Sequence, residues 1–245
     1  MLDPDLSGRT ALVTGSAKGI GRALALAVAD AGADVAVHYH SSEDEAAAAA
    51  EEARDRGVEA TTVQGDVTDP DSVDDLFSQV ESELGTVDVL VNNVGDFAPS
   101  HWEDIDHDTW MRVLKTNFNG TAFCAKRALP GMREEGWGRI VNVGYAGSEK
   151  ALANAKNFPY FVAKTGVLMF TRMLAADTQD EGITVNAVSP YVVENSDEFP
   201  DDLPRGRPAQ FEDMQQAMLF FLDEGSEYIS GENVEVDGGW IPEKL

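Results

Sequence analysis

The sequence contains one cysteine, Cys124, in 245 residues. A single thiol excludes an internal disulfide framework and any cysteine-built zinc site, and no metal centre is expected. Basic residues are scarce as well: 18 lysines and arginines stand against 44 aspartates and glutamates, a formal net charge of −26. Charge of that sign repels phosphates and anionic lipid, so nucleic acid and membrane surfaces are poor partners. No apolar run approaches the ~20 residues that cross a bilayer. The opening Met1-Leu2-Asp3-Pro4-Asp5 has neither the basic start nor the apolar stretch of a secretory signal. These absences point to a cytoplasmic globular protein.

What is present fits one α/β domain. Hydrophobic residues make up 43%, an ordinary share, and the length allows a substantial core. The acids are spread through Asp3–Asp5, Glu43–Glu52, Asp66–Asp75, Asp104–Asp108 and Asp197–Asp202, and arginine outnumbers lysine. Dispersed acid with little lysine is similar to the protein surfaces of salt-accumulating halophiles.

Strand-like apolar runs alternate with helical patterns along the chain. Strands are expected at Thr10–Val13, Asp34–Tyr39, Ala60–Val63, Val87–Val91, Arg139–Val143, Ile183–Val188 and Asn233–Val236. Helices are expected at Ile20–Ala31, Glu43–Arg56, Ser72–Leu84, Asp108–Glu135, Tyr160–Asp177 and Phe211–Leu222, with Pro130 and Gly131 disturbing the end of the longest. Alternating strands and helices imply βαβ units in a doubly wound parallel sheet, Rossmann-like and single-domain. The loosest segment is Glu194–Gly206, rich in Asp, Pro and Gly.

After the first strand comes Thr14-Gly15-Ser16-Ala17-Lys18-Gly19-Ile20-Gly21. Glycines between a strand and a helix let the backbone approach a pyrophosphate at a helix N-terminus, where free N–H groups favour anions. The spacing resembles the T-G-x-x-x-G-I-G motif of the short-chain dehydrogenase/reductase family. Asn92-Asn93-Val94-Gly95 resembles that family's N-N-A-G, with Val94 in place of alanine. Asn117, Tyr160-Phe161-Val162-Ala163-Lys164, Asn186-Ala187-Val188-Ser189-Pro190 and Asp237-Gly238-Gly239-Trp240 follow in the family's order. Each motif alone is modest; together they span nearly the whole chain.

The resemblance implies a nicotinamide dinucleotide held by Gly15, Ser16, Lys18, Gly19, Ile20, Gly21, Asn93, Gly95, Pro190 and the backbone N–H of Val193, with Asp66-Val67 bordering the adenine. An acid at the end of the second strand would accept the ribose 2′-OH and select NAD. That end reads Val37-His38-Tyr39-His40-Ser41-Ser42, without one. Lys18, His40, Ser41 and Ser42 are instead able to hold a 2′-phosphate, so NADP(H) is the expected cofactor.

Reducing a ketone by hydride transfer needs a proton delivered to the oxygen. A free tyrosine, with pKa about 10, exchanges protons poorly near neutrality, and a neighbouring ammonium lowers it. Tyr160 and Lys164 lie one helical turn apart and face the same way. The resemblance makes Tyr160 the proton donor and acceptor. Lys164 tunes it and binds ribose, as the nicotinamide half of the cofactor-binding set, and Asn117 holds a relay water. The family's substrate-orienting serine is missing: Val143 is followed by Gly144-Tyr145-Ala146-Gly147-Ser148. Tyr145 offers a hydroxyl on a longer arm, Ser148 offers one if the loop folds back, or nothing replaces it. The segment after Pro190 is also short, and a shortened lid predicts an open pocket.

The resemblance implies reduction of a small-molecule carbonyl, a 3-oxoacyl thioester by default. A C=N (pterin-type) reductase, a sugar or polyol dehydrogenase, and a catalytically weak dinucleotide sensor or scaffold are the alternatives. It also implies a homo-oligomer, dimer or tetramer, with Phe118, Phe123, Leu168 and Phe170 as candidate contacts. The acidic surface carries its own prediction. The screening length grows from about 3 Å to about 10 Å as salt falls from 1 M to 0.1 M, so self-repulsion rises. Thermal melts followed by circular dichroism over that range should show stability falling; an unchanged or rising melting temperature would contradict a halophile-like surface.

Overall fold

The first strand, β1 (Thr10–Val13), is buried along its whole length, which is what a four-residue apolar run without alternation requires of a strand covered on both faces. Six more strands complete a parallel sheet with it: β2 (Asp34–Tyr39), β3 (Ala60–Gln64), β4 (Val87–Asn92), β5 (Gly138–Val143), β6 (Ile183–Pro190) and β7 (Asn233–Val236). Their order is β3-β2-β1-β4-β5-β6-β7. The computed structural model describes residues 4–150, 155–196 and 198–240. Asp3 and Asp197, members of the acidic stretches, lie outside the described residues.

Period-two geometry divides the core. Ala11, Val13, Val35, Val37, Val89 and Val91 face α1 (Gly19–Asp30), α2 (Glu43–Arg54) and α7 (Phe211–Leu222). Leu12, Ala36, Leu90 and Ile140 face α3 (Pro70–Glu83), α5 (Gly120–Glu135) and α6 (Phe158–Asp177). Each fully buried large side chain, Phe77 and Phe221 among them, contributes about 1.5–3 kcal/mol. Among the described residues no helix is long and apolar enough to cross a membrane.

Two helices start two residues earlier than the sequence reading, and α1 starts one residue earlier. Asp69 caps α3 by accepting from the Asp71 N–H, and Pro70 opens the helix, two residues before Ser72. Pro159 similarly lets α6 begin at Phe158. The long helix expected at Asp108–Glu135 is α4 (His107–Leu114) joined to α5 through a π-turn at Lys115–Asn119. Pro130 does not disturb its end; the helix runs to Glu135 and stops at Gly136, whose φ is +65°. The distortion falls instead on Asn117, and single π-turns of this kind concentrate at functional positions.

Candidate active site

The strand order reverses between β1 and β4, and loops leaving their C-terminal ends diverge there to open a crevice. The crevice is cross-braced. Thr14 Oγ1 accepts the N–H groups of Asn93 (2.9 Å) and Val94 (3.2 Å), while Asn93 Nδ2 donates to the carbonyls of Thr14 (3.0 Å) and Gly15 (3.3 Å). Gly15 takes φ +67°, and a Cβ on Gly21 would stand 2.3 Å from Gly15 O. Only glycine allows the first turn of α1 to come so close to the loop. That turn supplies N–H groups without intrahelical acceptors. A cleft of about 770 Å³ continues from Gly15 past His40, Asp66, Val67 and Gly95. These residues fit a dinucleotide: a glycine cradle, a helix N-terminus and a long cleft beside them.

His38, at the end of β2, is the buried hub of this region. The Gly15 N–H donates to its Nδ1 (2.9 Å), so that nitrogen carries no proton, and Nε2–H donates to Gly65 O (3.1 Å). Its backbone exchanges two more bonds with Ser16: Ser16 N–H to His38 O (3.0 Å) and His38 N–H to Ser16 Oγ (2.9 Å). Burial, chiefly, brings the imidazole pKa down to about 4; the Gly65 carbonyl opposes the shift, His40 adds to it, and Asp66 opposes it.

Tyr160 and Lys164 rise from the start of α6, both buried. A buried chain of bonds holds this helix to the sheet: Asn92 Nδ2 donates to Asn142 Oδ1, and Asn142 Nδ2 donates to Thr171 Oγ1, each at 2.9 Å. Lys164 Nζ lies 5.7 Å from the Tyr160 ring centroid and donates to Val143 O at 2.6 Å. Desolvation lowers the ammonium pKa to about 8. The Tyr160 phenol is pushed up, by burial and then by Tyr145 beside it. The phenol is raised by its burial, not lowered by Lys164. Tyr145 meets it edge-on at 5.6 Å between centroids, and burial raises Tyr145 to about 12.

A family model described as enoyl-(acyl carrier protein) reductase matches residues 15–241. The 3-oxoacyl-[acyl-carrier-protein] reductase FabG of Staphylococcus aureus is 34% identical over 241 residues, covering 94% of this chain and 97% of its own. The structure of a gluconate 5-dehydrogenase from Burkholderia cenocepacia, in complex with NADP and tartrate, superposes with a TM-score of 0.89 at 31% identity over 97% of each chain. A short-chain type dehydrogenase/reductase from Mycobacterium marinum does so with the same TM-score at 31% identity, covering 98% of this chain and 97% of its own. This chain belongs to the short-chain dehydrogenase/reductase family. It is an oxidoreductase with that family's fold.

The short-chain dehydrogenase/reductase residues do not all stand as the sequence implies. The Gly15 N–H and the Ser16 N–H and hydroxyl are consumed by His38 and Val13, so these two residues shape the turn, and the free donors come later in the loop and in α1. Lys18 is exposed at the mouth with Glu45 at 3.9 Å, a weak surface pair that a phosphate is able to displace. His40 and Ser41 are exposed beside it. Val67, expected to border the adenine, packs against Gly120 at the end of the π-turn. The Asn117 amide is fully engaged: Nδ2 donates to the carbonyls of Asp96 and Val113, and Oδ1 accepts from Asp96 N–H. It ties the π-turn to the loop at Gly95. The Val193 N–H, expected to face the nicotinamide, donates to Ser196 Oγ at 3.2 Å. Pro190 ends β6 and accepts from Ala146 N–H.

Of the two serine substitutes, the structure brings only Tyr145 to Tyr160. The loop does not fold back: the Gly147 N–H is held by Glu235 on β7, and Ser148 sits by Thr165 with its hydroxyl buried. The short segment after Pro190 borders a cleft of about 640 Å³ lined by Tyr191, Val192, Leu203 and Pro204, but Tyr160 itself is covered. Phe97 covers Tyr160 at 4.6 Å between centroids, and Tyr145 and Phe161 close the sides, leaving Tyr160 5% exposed. Sequence reasoning missed Phe97, His38 and Asn195, whose amide lies 2.9 Å from where a Cβ of Gly19 would stand.

The buried imidazole predicts a pH effect. The unfolded chain binds a proton at His38 below about pH 6.5 and the folded chain only near pH 4. Stability from this group is thus complete above pH 6.5 and lost on acidification towards 4, a difference on the order of 3 kcal/mol. Urea unfolding between pH 7.5 and 4 should show a steeper loss in the parent than in His38→Asn. Parallel curves would contradict the buried neutral assignment.

Proposed function

We propose that this protein is an NADP(H)-dependent carbonyl reductase with Tyr160 as its proton donor. The observation that carries this reading is the placement of Tyr160 beside Lys164, next to Gly95 and the dinucleotide cleft. The cofactor is NADP(H): no carboxylate ends β2, Lys18, His40 and Ser41 stand where a 2′-phosphate is expected, and a similar structure holds NADP. NADP(H) supplies the hydride. Tyr160 delivers the proton to the substrate oxygen, and its raised pKa keeps the phenol loaded in the reductive direction. Lys164, held by Val143 O, keeps positive charge next to the ring and steadies charge developing there. Asn117 braces the Gly95 loop against which the reacting groups lie.

A 3-oxoacyl thioester is the substrate class favoured by the likeness to the S. aureus reductase. Tyr145 takes the place of the missing serine, with its hydroxyl orienting the carbonyl. The cover of Phe97 over Tyr160 and the lost serine favour a second reading, a dinucleotide sensor with little turnover. The intact Tyr160 and Lys164 pair opposes it.

The protein is proposed to assemble as a homo-oligomer through α6. Phe158, Val162, Met169 and Met173 leave apolar surface exposed at helical spacing on that helix. Of the candidates read from the sequence, Leu168 is buried, whereas Phe118, Phe123 and Phe170 are half-buried, Phe123 and Phe170 resting on the core and Phe118 against Gly166.

NADPH and NADH oxidation in high salt, against 3-oxoacyl thioesters, dihydropterins, polyol-derived ketones and simple ketones, tests the reading. NADPH-dependent turnover with a carbonyl is expected, at least tenfold above NADH. Tight NADPH binding without turnover on any carbonyl would leave the sensor. Tyr145→Phe should lower kcat/KM by about tenfold or more, the effect of losing one donor to a developing oxyanion, whereas Ser148→Ala should leave it unchanged.

A further inference from the structure

Three elements meet at His38: the glycine turn after β1, the end of β2 that carries the residue, and the turn after β3. The four bonds to Gly15, Ser16 and Gly65 described above all pass through it. Gly15 and Gly65 both border the dinucleotide cleft, and Gly65 immediately precedes Asp66 of the adenine wall. The two sides of the cleft have no covalent reason to keep their separation. Gly15 is held in a left-handed conformation, and its N–H, aimed at Nδ1, fixes the orientation of the peptide plane before the cradle. The ring spans the gap with an acceptor at one end and a donor at the other. Only a neutral imidazole with its proton on Nε2 satisfies both ends. His40 and Asp66 are the other titratable groups whose charge reaches the ring.

We propose that His38 is a positioning residue for the cofactor, a clasp that holds the phosphate turn and the adenine wall at the separation a 2′-phosphorylated adenosine dinucleotide needs. It sits on β2, three strands across the sheet from β5, whose end holds Lys164 beside Tyr160, and it makes no contact with either. Its effect therefore falls on cofactor affinity and not on the chemical step. The proposal rests on the NADP(H) reading of the cleft.

The test compares the parent, His38→Phe and His38→Asn at pH 7.5, using calorimetric titration with NADPH and with adenosine 2′,5′-bisphosphate, which lacks the nicotinamide half. Phenylalanine fills the space and removes both bonds; the asparagine Oδ1 restores an acceptor for the Gly15 N–H. His38→Phe should weaken both ligands at least tenfold and raise KM for NADPH in proportion, with kcat at saturating cofactor within threefold of the parent. His38→Asn, which keeps the Gly15 end alone, should recover only part of the affinity. A folded His38→Phe that binds both ligands within twofold of the parent would overturn the clasp, as would equal losses in kcat and affinity. Should His38→Phe not fold, nitrogen-15 spectra of the parent decide. A neutral ring with the proton on Nε2 at pH 7.5 is expected, and a proton on Nδ1 would overturn the proposal. A parent that binds no NADPH would overturn the functional reading, and this proposal with it.

Discussion

The structure depends most on the seam between β1 and β4, where the strand order reverses. Parallel strands send their connections to the same end of the sheet, and at a reversal neighbouring connections leave towards opposite faces. The gap is unavoidable, and its backbone groups must be satisfied without closing it. Thr14 and Asn93 do this by bonding each other's backbones across the seam. The glycine turn, the Asn93-to-Gly95 segment and the start of α1 take their positions from that brace. The remaining functional groups follow: Asn117 fastens to Asp96, and Lys164 lies near Gly95.

The charge distribution inverts between surface and site. Outside, carboxylates dominate, and many arginines are taken up in ion pairs, such as Arg127 with Asp74 and Glu81 and Arg133 with Asp177 and Glu181. Inside, the polar groups are almost all neutral amides, hydroxyls and an uncharged imidazole. Burying an unpaired charge costs several kcal/mol, so a fully buried ammonium is a costly feature. Lys164 bears that cost beside Tyr160, the proposed proton donor. Its lowered pKa and the raised pKa of Tyr160 express the same desolvation acting on groups of opposite charge type.

Much of this architecture is legible in the chain because its signals are local. Each strand is a short apolar run with flanking turns, and α7 and β7 have the same ends in the sequence and in the structure. The π-turn is hidden because one extra residue barely alters apolar periodicity across a helix of this length. The role of His38 is hidden for a different reason: its partners lie 23 and 27 residues away, and no spacing rule links them. The sequence places Tyr145 only narrowly ahead of Ser148 as a source of a hydroxyl. They separate only through the grip of Glu235 on Gly147, which joins segments 88 residues apart. Phe97 lies in a segment without periodicity, so its closure over Tyr160 has no sequence signature.

The central claim is that the Tyr160 hydroxyl delivers the proton in a site otherwise able to bind its cofactor. The most direct measurement is the steady-state reductase rate of Tyr160→Phe beside its NADPH affinity, since the substitution removes one oxygen and preserves the ring packed by Phe97 and Tyr145. The account predicts turnover reduced by about 10²-fold or more, the scale of general acid catalysis, with NADPH affinity within a few-fold of the parent. Turnover within a few-fold of the parent would contradict it.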